Sequence, residues 1–278
     1  MSLFRFLWRF LRLLLHTLGG IWMSLTLSRR VTSNGERLPD PEPISRWSRR
    51  LLQILHVELR CHGQPPHTAA MIVANHLSWL DIPVISACTH AAFLSKESIR
   101  YWPIIGWFAR ASSTVFIRRG KGEAKQVAEA IAERLEGDRQ LAIFPEGRVG
   151  DGSGVQRFFP RLFSAAIDTH TPVIPVALRY LADGKPDSTV IYTPGKSFLG
   201  ILFRILARKG SVVEVFFCPP ISPEGKDRRT LAREAREAIQ AALASGSADC
   251  RITRSRMKGS SRVKSTAVAS MSAEKNQK

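Results

Sequence analysis

Residues 71–81 read Met-Ile-Val-Ala-Asn-His-Leu-Ser-Trp-Leu-Asp, and the organisation of the whole chain follows from them. The four apolar residues at the start are typical of a buried strand. A polar pair, Asn75 and His76, ends the strand, and Asp81 follows five residues after the histidine. Neutral imidazole can take a proton from an alcohol near pH 7, and a carboxylate on its other ring nitrogen fixes the tautomer. The pattern therefore indicates a general base, His76, oriented by Asp81.

The spacing of His76 and Asp81 limits the ways in which they can meet. Residues three or four apart share a face of a regular helix, whereas residues five apart do not. The pair can meet if His76 lies on the turn between strand and helix and Asp81 lies inside or after the following turn. The alternative is that His76 caps a helix and Asp81 forms a surface ion pair.

Two more polar groups directly follow apolar strands: Arg119 after Phe-Ile-Arg, and Glu146 after a strand that ends in Phe-Pro. Strands alternate with helices from residue 57 to residue 217. This alternation predicts an α/β fold with a mixed, largely parallel sheet flanked by helices. Ligand sites in such sheets lie beyond the carboxyl ends of the strands. We therefore expect His76, Arg119 and Glu146 to lie at one edge of the sheet.

Four sequence blocks, in order, resemble those of the glycerophospholipid acyltransferase family, which contains 1-acylglycerol-3-phosphate acyltransferase. The blocks are Asn75-His76-x4-Asp81, Phe116-Ile117-x-Arg119, Phe144-Pro145-Glu146-Gly147 and an apolar run around Pro175. The third block is matched only as far as Gly147. Arg148-Val149-Gly150 replaces the usual threonine-containing continuation, which changes the hydroxyl contacts that this loop can offer a substrate.

The resemblance implies a membrane-bound O-acyltransferase of phospholipid metabolism. Such an enzyme moves a fatty acyl group from acyl-CoA or acyl carrier protein, as co-substrate, to the free hydroxyl of a lysolipid. The leading acceptor is 1-acylglycerol-3-phosphate, which would give phosphatidic acid, and lyso-ornithine lipid is the alternative. The sequence lacks GxSxG, HExxH and clustered carboxylates, so that neither an acyl-enzyme, a metal nor another cofactor is implied.

The resemblance also assigns roles to single residues. His76 and Asp81 are the expected catalytic pair, and a guanidinium at Arg119 is suited to grip a phosphate, although arginines more often lie on surfaces. Glu146 and Gly147 are implicated in binding the acceptor; alternatively, Glu146 accepts backbone N–H groups. Asn75 donates its amide to an oxyanion or caps the following helix, and we favour the cap.

The charge of the chain favours an anionic partner. The 278 residues carry 41 Lys and Arg against 23 Asp and Glu, a net charge of +18, of which the last 28 residues contribute +7. A non-enzymatic basic membrane- or nucleic-acid-binding protein would explain this charge, but not the polar groups at three strand ends. No nucleic-acid-binding motif is present, and we expect no nucleic acid partner.

The four cysteines lack metal spacing and are interpreted as reduced thiols of a cytosol-facing protein.

The segment 1–30 is predicted to be a membrane-associated helix. Apolar residues recur at helical spacing, with Arg5, Arg9 and Arg12 between them. The apolar run 13–27 is short for a span, so it could cross the bilayer with snorkelling arginines or enter one leaflet and return. A signal peptide is disfavoured because the arginines lie inside the segment. The expected location is the cell inner membrane, with the catalytic domain facing the cytoplasm.

Composition divides the rest of the chain into a polar linker at 31–43, an acyltransferase domain at 44–244 and a basic, disordered tail at 245–278. Within the domain, the aromatic segment 101–108 is interpreted as core, with an acyl-chain wall or a membrane-facing rim as the alternative. Residues 189–192 are expected to form a strand. The apolar face of residues 196–209 fits a core helix and an interfacial helix equally well.

Overall fold

The computed structural model describes residues 3–27, 29–31, 37–118, 124–136, 139–192 and 197–245. The described helices are α1 (Leu3–Thr26), α2 (Pro41–Ile54), α3 (Asp81–Cys88), α4 (Ile105–Ala111), α5 (Ala124–Leu135), α6 (Ser164–Asp168), α7 (Phe198–Ala207), α8 (Arg228–Ser245) and two short 3₁₀ helices, Glu97–Tyr101 and Pro160–Phe163. The described strands are β1 (Arg29–Val31), β2 (Arg37–Pro39), β3 (Val57–His62), β4 (Ala70–Ala74), β5 (Ala92–Lys96), β6 (Val115–Ile117), β7 (Gln140–Ile143), β8 (Val173–Ala182), β9 (Lys185–Pro186) and β10 (Ser211–Phe217).

The main sheet has the order β3-β10-β8-β4-β7-β5-β6, and β9 pairs with β8. Strands β8, β4, β7, β5 and β6 pair in parallel, whereas β10 runs antiparallel to β8 and parallel to β3. The predicted mixed, largely parallel α/β sheet is therefore confirmed. Because β4, β6 and β7 run in the same direction, the residues that follow them emerge at the same edge.

The central strands are apolar because helices cover both faces of the sheet. All five residues of β4 are buried, and successive residues contribute to two different cores. One core packs against α2, α3 and α7, and includes Leu52, Ile85 and Ile201. The other packs against α5, α6 and α8, and includes Ile131 and Ile239. The sheet is thus a rigid middle layer on which loops at its carboxyl edge are held.

Helix α1 presents its apolar side outward and its more polar side to the body of the protein. Its exposed large hydrophobic residues are Leu3, Phe4, Leu7, Trp8, Phe10, Leu11, Leu14, Leu15, Leu18, Trp22 and Leu25. Arg9 is 2% exposed, and its guanidinium donates to the carbonyls of Leu206, Arg208 and Lys209 at the end of α7. Among the residues that the structure describes, no helix combines the length and hydropathy of a membrane span.

The segment predicted as a linker, 31–43, contains regular structure. Strands β1 and β2 form a separate antiparallel pair, and α2 begins at Pro41 with Asp40 as its N-cap. Proline at the first helical turn has no N–H to leave unpaired, which explains why the helix begins earlier than its apolar pattern suggests. Residues 32–36 and the predicted tail from 246 onward lie outside the described residues, and the domain boundaries stay a prediction.

Two local predictions are wrong. The aromatic segment 101–108 does not form core: Tyr101 is 75% exposed and Trp107 is 39% exposed, because the segment lies at the surface beside α1, where Trp107 Nε1 donates to Ser24 Oγ at 2.6 Å. The predicted strand at 189–192 is a turn. Asp187 holds that turn, since its carbonyl and carboxylate accept the backbone N–H groups of the residues that follow.

Candidate active site

The site begins at the turn that joins β4 to α3. The N–H of Asp81 donates to the carbonyl of Ser78 at 3.1 Å, so that α3 begins at Asp81 itself. This turn folds the chain back, and His76 Nδ1 lies 2.7 Å from Asp81 Oδ2. The predicted meeting of the two residues across a strand-to-helix turn is therefore what the structure shows. The alternative, a surface ion pair, does not fit a carboxylate that is 0% exposed.

Four donors hold the Asp81 carboxylate. Oδ2 accepts His76 Nδ1–H and the backbone N–H groups of Leu77 (2.7 Å) and Ser78 (2.9 Å). Oδ1 accepts the hydroxyl of Tyr180 at 2.7 Å. Burial, and then the charge of Asp81, raises the pKa of Tyr180 well above its usual value, so that this hydroxyl remains a donor. The carboxylate is thus fixed before any substrate arrives.

The histidine ring is also fixed. It stacks on Phe144, with 4.0 Å between ring centroids and 15° between the planes. The carbonyl of His76 accepts the N–H of Gly150 at 2.7 Å, and a Cβ at position 150 would approach that oxygen to 3.2 Å. The loop after β7 therefore packs directly on the histidine backbone. Because Nδ1 donates to Asp81, Nε2 is the ring nitrogen that carries a free lone pair.

Glu146 also contacts the backbone of His76. It is 5% exposed, and its Oε1 accepts the backbone N–H of His76 at 3.2 Å. Burial raises the pKa of Glu146 to about 7, although the N–H groups of His76 and Gln156 act in the other direction. Gly147 closes the turn with a φ of 72°, a conformation that favours glycine. Glu146 thus has the role of a backbone acceptor, and its carboxyl also lines the cavity described below.

Asn75 has a different role from the one we favoured. Its Nδ2 donates to the carbonyl of Leu178 at 3.0 Å, and its Oδ1 accepts the N–H of Leu178 at 2.8 Å. The prediction of a helix cap is wrong because α3 begins at Asp81 and its N-cap is Leu80. Asn75 is 2% exposed and is not part of the cavity wall. Its amide ties the end of β4 to β8.

A cavity of about 1800 Å³ opens beside His76. The apolar part of its wall includes Trp79, Phe93, Ile117, Phe144, Phe158 and Phe198. Exposed cationic side chains also line it: Lys96, Arg118, Arg148, Arg157 and Arg161. Arg118 Nε donates to Glu97 at 2.6 Å. Arg119, the predicted phosphate ligand, lies outside the described residues.

Comparisons with known proteins show the family of the chain. Residues 58–179 match the family model Acyltransferase. The lyso-ornithine lipid O-acyltransferase of Pseudomonas aeruginosa is 38% identical over 243 residues, which cover 84% of this chain and 94% of that protein. The chain belongs to the acyltransferase family. It is an O-acyltransferase, and the resemblance carried by the four sequence blocks is confirmed.

One further relative of the acyltransferase is named for a different acceptor, and one solved structure shows the fold. The 1-acyl-sn-glycerol-3-phosphate acyltransferase of Neisseria gonorrhoeae is 34% identical over 188 residues, covering 65% of this chain and 72% of that protein. The crystal structure of the 1-acyl-sn-glycerophosphate acyltransferase PlsC from Thermotoga maritima superimposes with a TM-score of 0.56 and 22% identity, covering 86% of this chain and 98% of that chain. It has the same fold.

The structure of this acyltransferase brings some of the predicted residues together and separates others. The structure brings His76, Asp81 and Glu146 together at one edge of the sheet. Asn75 lies outside the cavity wall, where its amide pairs with the backbone of Leu178. The structure adds Tyr180, which sequence reasoning missed because a tyrosine in an apolar strand looks like any other core residue, and its partner lies 99 positions away.

Proposed function

We propose that the acyltransferase moves a fatty acyl group from an acyl thioester to the hydroxyl of a lysolipid, with His76 as the general base. His76 Nε2 takes the hydroxyl proton while the oxygen attacks the thioester carbonyl. The tetrahedral intermediate then releases the thiolate, which takes the proton from the imidazolium. Asp81 stabilises the imidazolium between these steps. The observation that supports this most directly is the 2.7 Å contact between His76 Nδ1 and Asp81 Oδ2.

The cavity suits both parts of a lipid substrate. Its aromatic and aliphatic wall can surround an acyl chain, and its volume of about 1800 Å³ exceeds the roughly 300–1,000 Å³ of ordinary small-molecule sites. The exposed guanidinium groups of Arg148, Arg157 and Arg161 can bind the anionic groups of a donor or an acceptor. Arg119 stays in the proposal as a further ligand for a phosphate, either of the acyl donor or of 1-acylglycerol-3-phosphate. Gly147 allows a close approach of the substrate to the loop.

We propose lyso-ornithine lipid as the acceptor. The relative from Pseudomonas aeruginosa that bears this name matches over 94% of its own length, and Arg148 stands where the third block of the family usually has threonine, which leaves room for an acceptor other than 1-acylglycerol-3-phosphate. 1-Acylglycerol-3-phosphate is the second candidate, and the relative from Neisseria and the cationic cavity wall support it. The donor is acyl-CoA or acyl carrier protein.

The test is an assay of purified, detergent-solubilised protein with labelled acyl-CoA and acyl carrier protein, a panel of lysolipids and mass detection of the products. We expect diacylated ornithine lipid as the main product, and loss of every product in His76→Ala. The matched control is His170→Asn, which changes an exposed histidine outside the cavity and suits its φ of 52°. Unchanged transfer by His76→Ala would refute the mechanism. A preference for 1-acylglycerol-3-phosphate would refute the acceptor alone.

The outward face of α1 supports a membrane location for the enzyme. A helix that buries an arginine and exposes a row of leucine, phenylalanine and tryptophan side chains fits a lipid surface better than water. We propose that α1 lies in the cytoplasmic leaflet of the inner membrane, so that the catalytic domain faces the cytoplasm. Flotation with phospholipid vesicles tests this: Trp8→Ser combined with Trp22→Ser should weaken binding, whereas His76→Ala should bind like the wild type. Equal binding by all three proteins would contradict it.

A further inference from the structure

Two cysteines approach each other closely at the end of α3. Cys61 lies on the edge strand β3, and Cys88 is the last residue of α3. Their Sγ atoms are 2.9 Å apart, although 27 positions separate them in the chain. The sulfur atoms of a disulfide lie about 2.05 Å apart, so that a movement of roughly 1 Å would suffice to join them.

The surroundings make the two thiols unequal. Arg49 Nε donates to the carbonyl of Ala87 at 2.8 Å, which brings a guanidinium to the same helix end. The hydrogen bond from Cys88 lowers the pKa of Cys61, burial raises it, and the charge of Arg49 lowers it again. The same hydrogen bond, and then burial, raises the pKa of Cys88. Cys61 is therefore the more acidic thiol of the pair, and it is also the more exposed.

We propose that Cys61 and Cys88 form a redox pair that a hydroperoxide converts to a disulfide. The Cys61 thiolate attacks the peroxide, the O–O bond breaks, and Cys61 sulfenic acid and hydroxide form. Cys88 Sγ then attacks the Cys61 sulfur, the S–O bond breaks, and the sulfenic oxygen leaves as water with the Cys88 proton. Two thiols are oxidised and one hydrogen peroxide is reduced to two water molecules. A small thiol or a cellular dithiol reverses the reaction.

The position of the pair connects this chemistry to the active site. The bond would close a loop that begins on β3 and includes His76 and Asp81. It would also tie the last residue of α3 to the sheet, while the first residue of the same helix is Asp81. Oxidation therefore adds a covalent bond between the sheet and the helix that carries the orienting carboxylate.

The experiment uses the full-length protein in detergent, with Cys250, which lies outside the described residues, replaced by Ser. The protein is treated with hydrogen peroxide, the remaining thiols are alkylated, and peptides are mapped by mass spectrometry without reduction. We expect a linked peptide pair that contains Cys61 and Cys88, lighter by two hydrogens and restored to free thiols by dithiothreitol. Cys218, which is buried, should be alkylated only after unfolding.

Single substitutions separate the two roles. In Cys88→Ser, Cys61 should accumulate as sulfenic acid and react with dimedone. In Cys61→Ser, Cys88 should resist peroxide at the same concentration. Two results would overturn the proposal: both cysteines remain alkylatable after treatment of the parent protein, or Cys61 oxidises to sulfinic acid while Cys88 stays a thiol. Both readouts are independent of acyl transfer, and thus of the proposed function.

Discussion

Replacement of Asp81 by Asn removes a charge and almost nothing else. The asparagine oxygen can take the place of Oδ2, which accepts His76 Nδ1–H and the backbone N–H groups of Leu77 and Ser78. Its amino group can then donate to the Tyr180 oxygen, with the tyrosine hydroxyl turned away. The turn and the histidine tautomer are thereby kept. What the variant lacks is the negative charge beside the imidazolium that forms when His76 takes a proton.

The loss in rate can be estimated from the geometry. The nitrogen and oxygen lie 2.7 Å apart, and the centres of the two delocalised charges are roughly 4 Å apart. At an effective dielectric constant of about 20, opposite charges at this distance attract by about 4 kcal/mol. Since about 1.4 kcal/mol corresponds to a tenfold change in rate, we expect kcat to fall about 10³-fold in Asp81→Asn.

The assay measures initial rates of acyl transfer for Asp81→Asn, His76→Ala and the double variant, with thermal unfolding in detergent as the check on folding. Because both residues act in one step, the double variant should be about as slow as His76→Ala alone. Asp151→Asn, which alters an exposed carboxylate on the loop after β7, is the matched control. The reasoning fails if Asp81→Asn, correctly folded, keeps more than a tenth of the wild-type rate, or if the two effects multiply.

Three further predictions concern two groups beside the catalytic pair and one contact of α1. Tyr180→Phe removes the hydroxyl that donates to Asp81 Oδ1, so that we expect a loss of about 1–3 kcal/mol in the free energy of unfolding and a lower kcat; an unchanged melting temperature would contradict this. Burial raises the pKa of Glu146 from about 4.5 to about 7, so wild-type stability should fall as pH rises through this interval, by up to roughly 3 kcal/mol. Glu146→Gln should lack this slope in melts between pH 4.5 and pH 8, and equal slopes would exclude Glu146 as the cause. Arg9→Met leaves the last carbonyls of α7 without their donor, so it should lower the melting temperature more than Arg12→Met, which alters a half-buried arginine on the same helix; an equal effect of both would argue against the contact.

Local patterns in the sequence predicted the parts of the site that are local in the structure. The apolar run before Asn75 predicted β4, and the spacing of His76 and Asp81 permitted a meeting across a strand-to-helix turn, which the structure shows. Tyr180 could not be found in this way, because β4 and β8 become neighbours only in the folded sheet. The helix cap expected of Asn75 failed because the turn at Ser78 delays the start of α3 by several residues.

Apolar composition alone did not predict which residues lie at the surface. The segment 101–108 has the composition of a core, yet Tyr101, Trp102 and Ile104 are exposed at the surface. Hydrophobicity cannot distinguish a residue that packs inside the protein from one at an exposed apolar face. Helix α7 shows both in one element, since it buries Ile201 and exposes Phe203.

The contacts of α1 mean that it cannot be treated as a detachable anchor. Its Arg9 supplies donors to three carbonyls of the main body, its His16 ring stacks on Trp47, and Gly20 lets the helix approach the same indole closely. Removal of residues 1–27, a common way to obtain a more tractable protein, would strip those carbonyls of their donors and uncover the indole. The shortened enzyme would be less stable and more prone to aggregate, not more soluble.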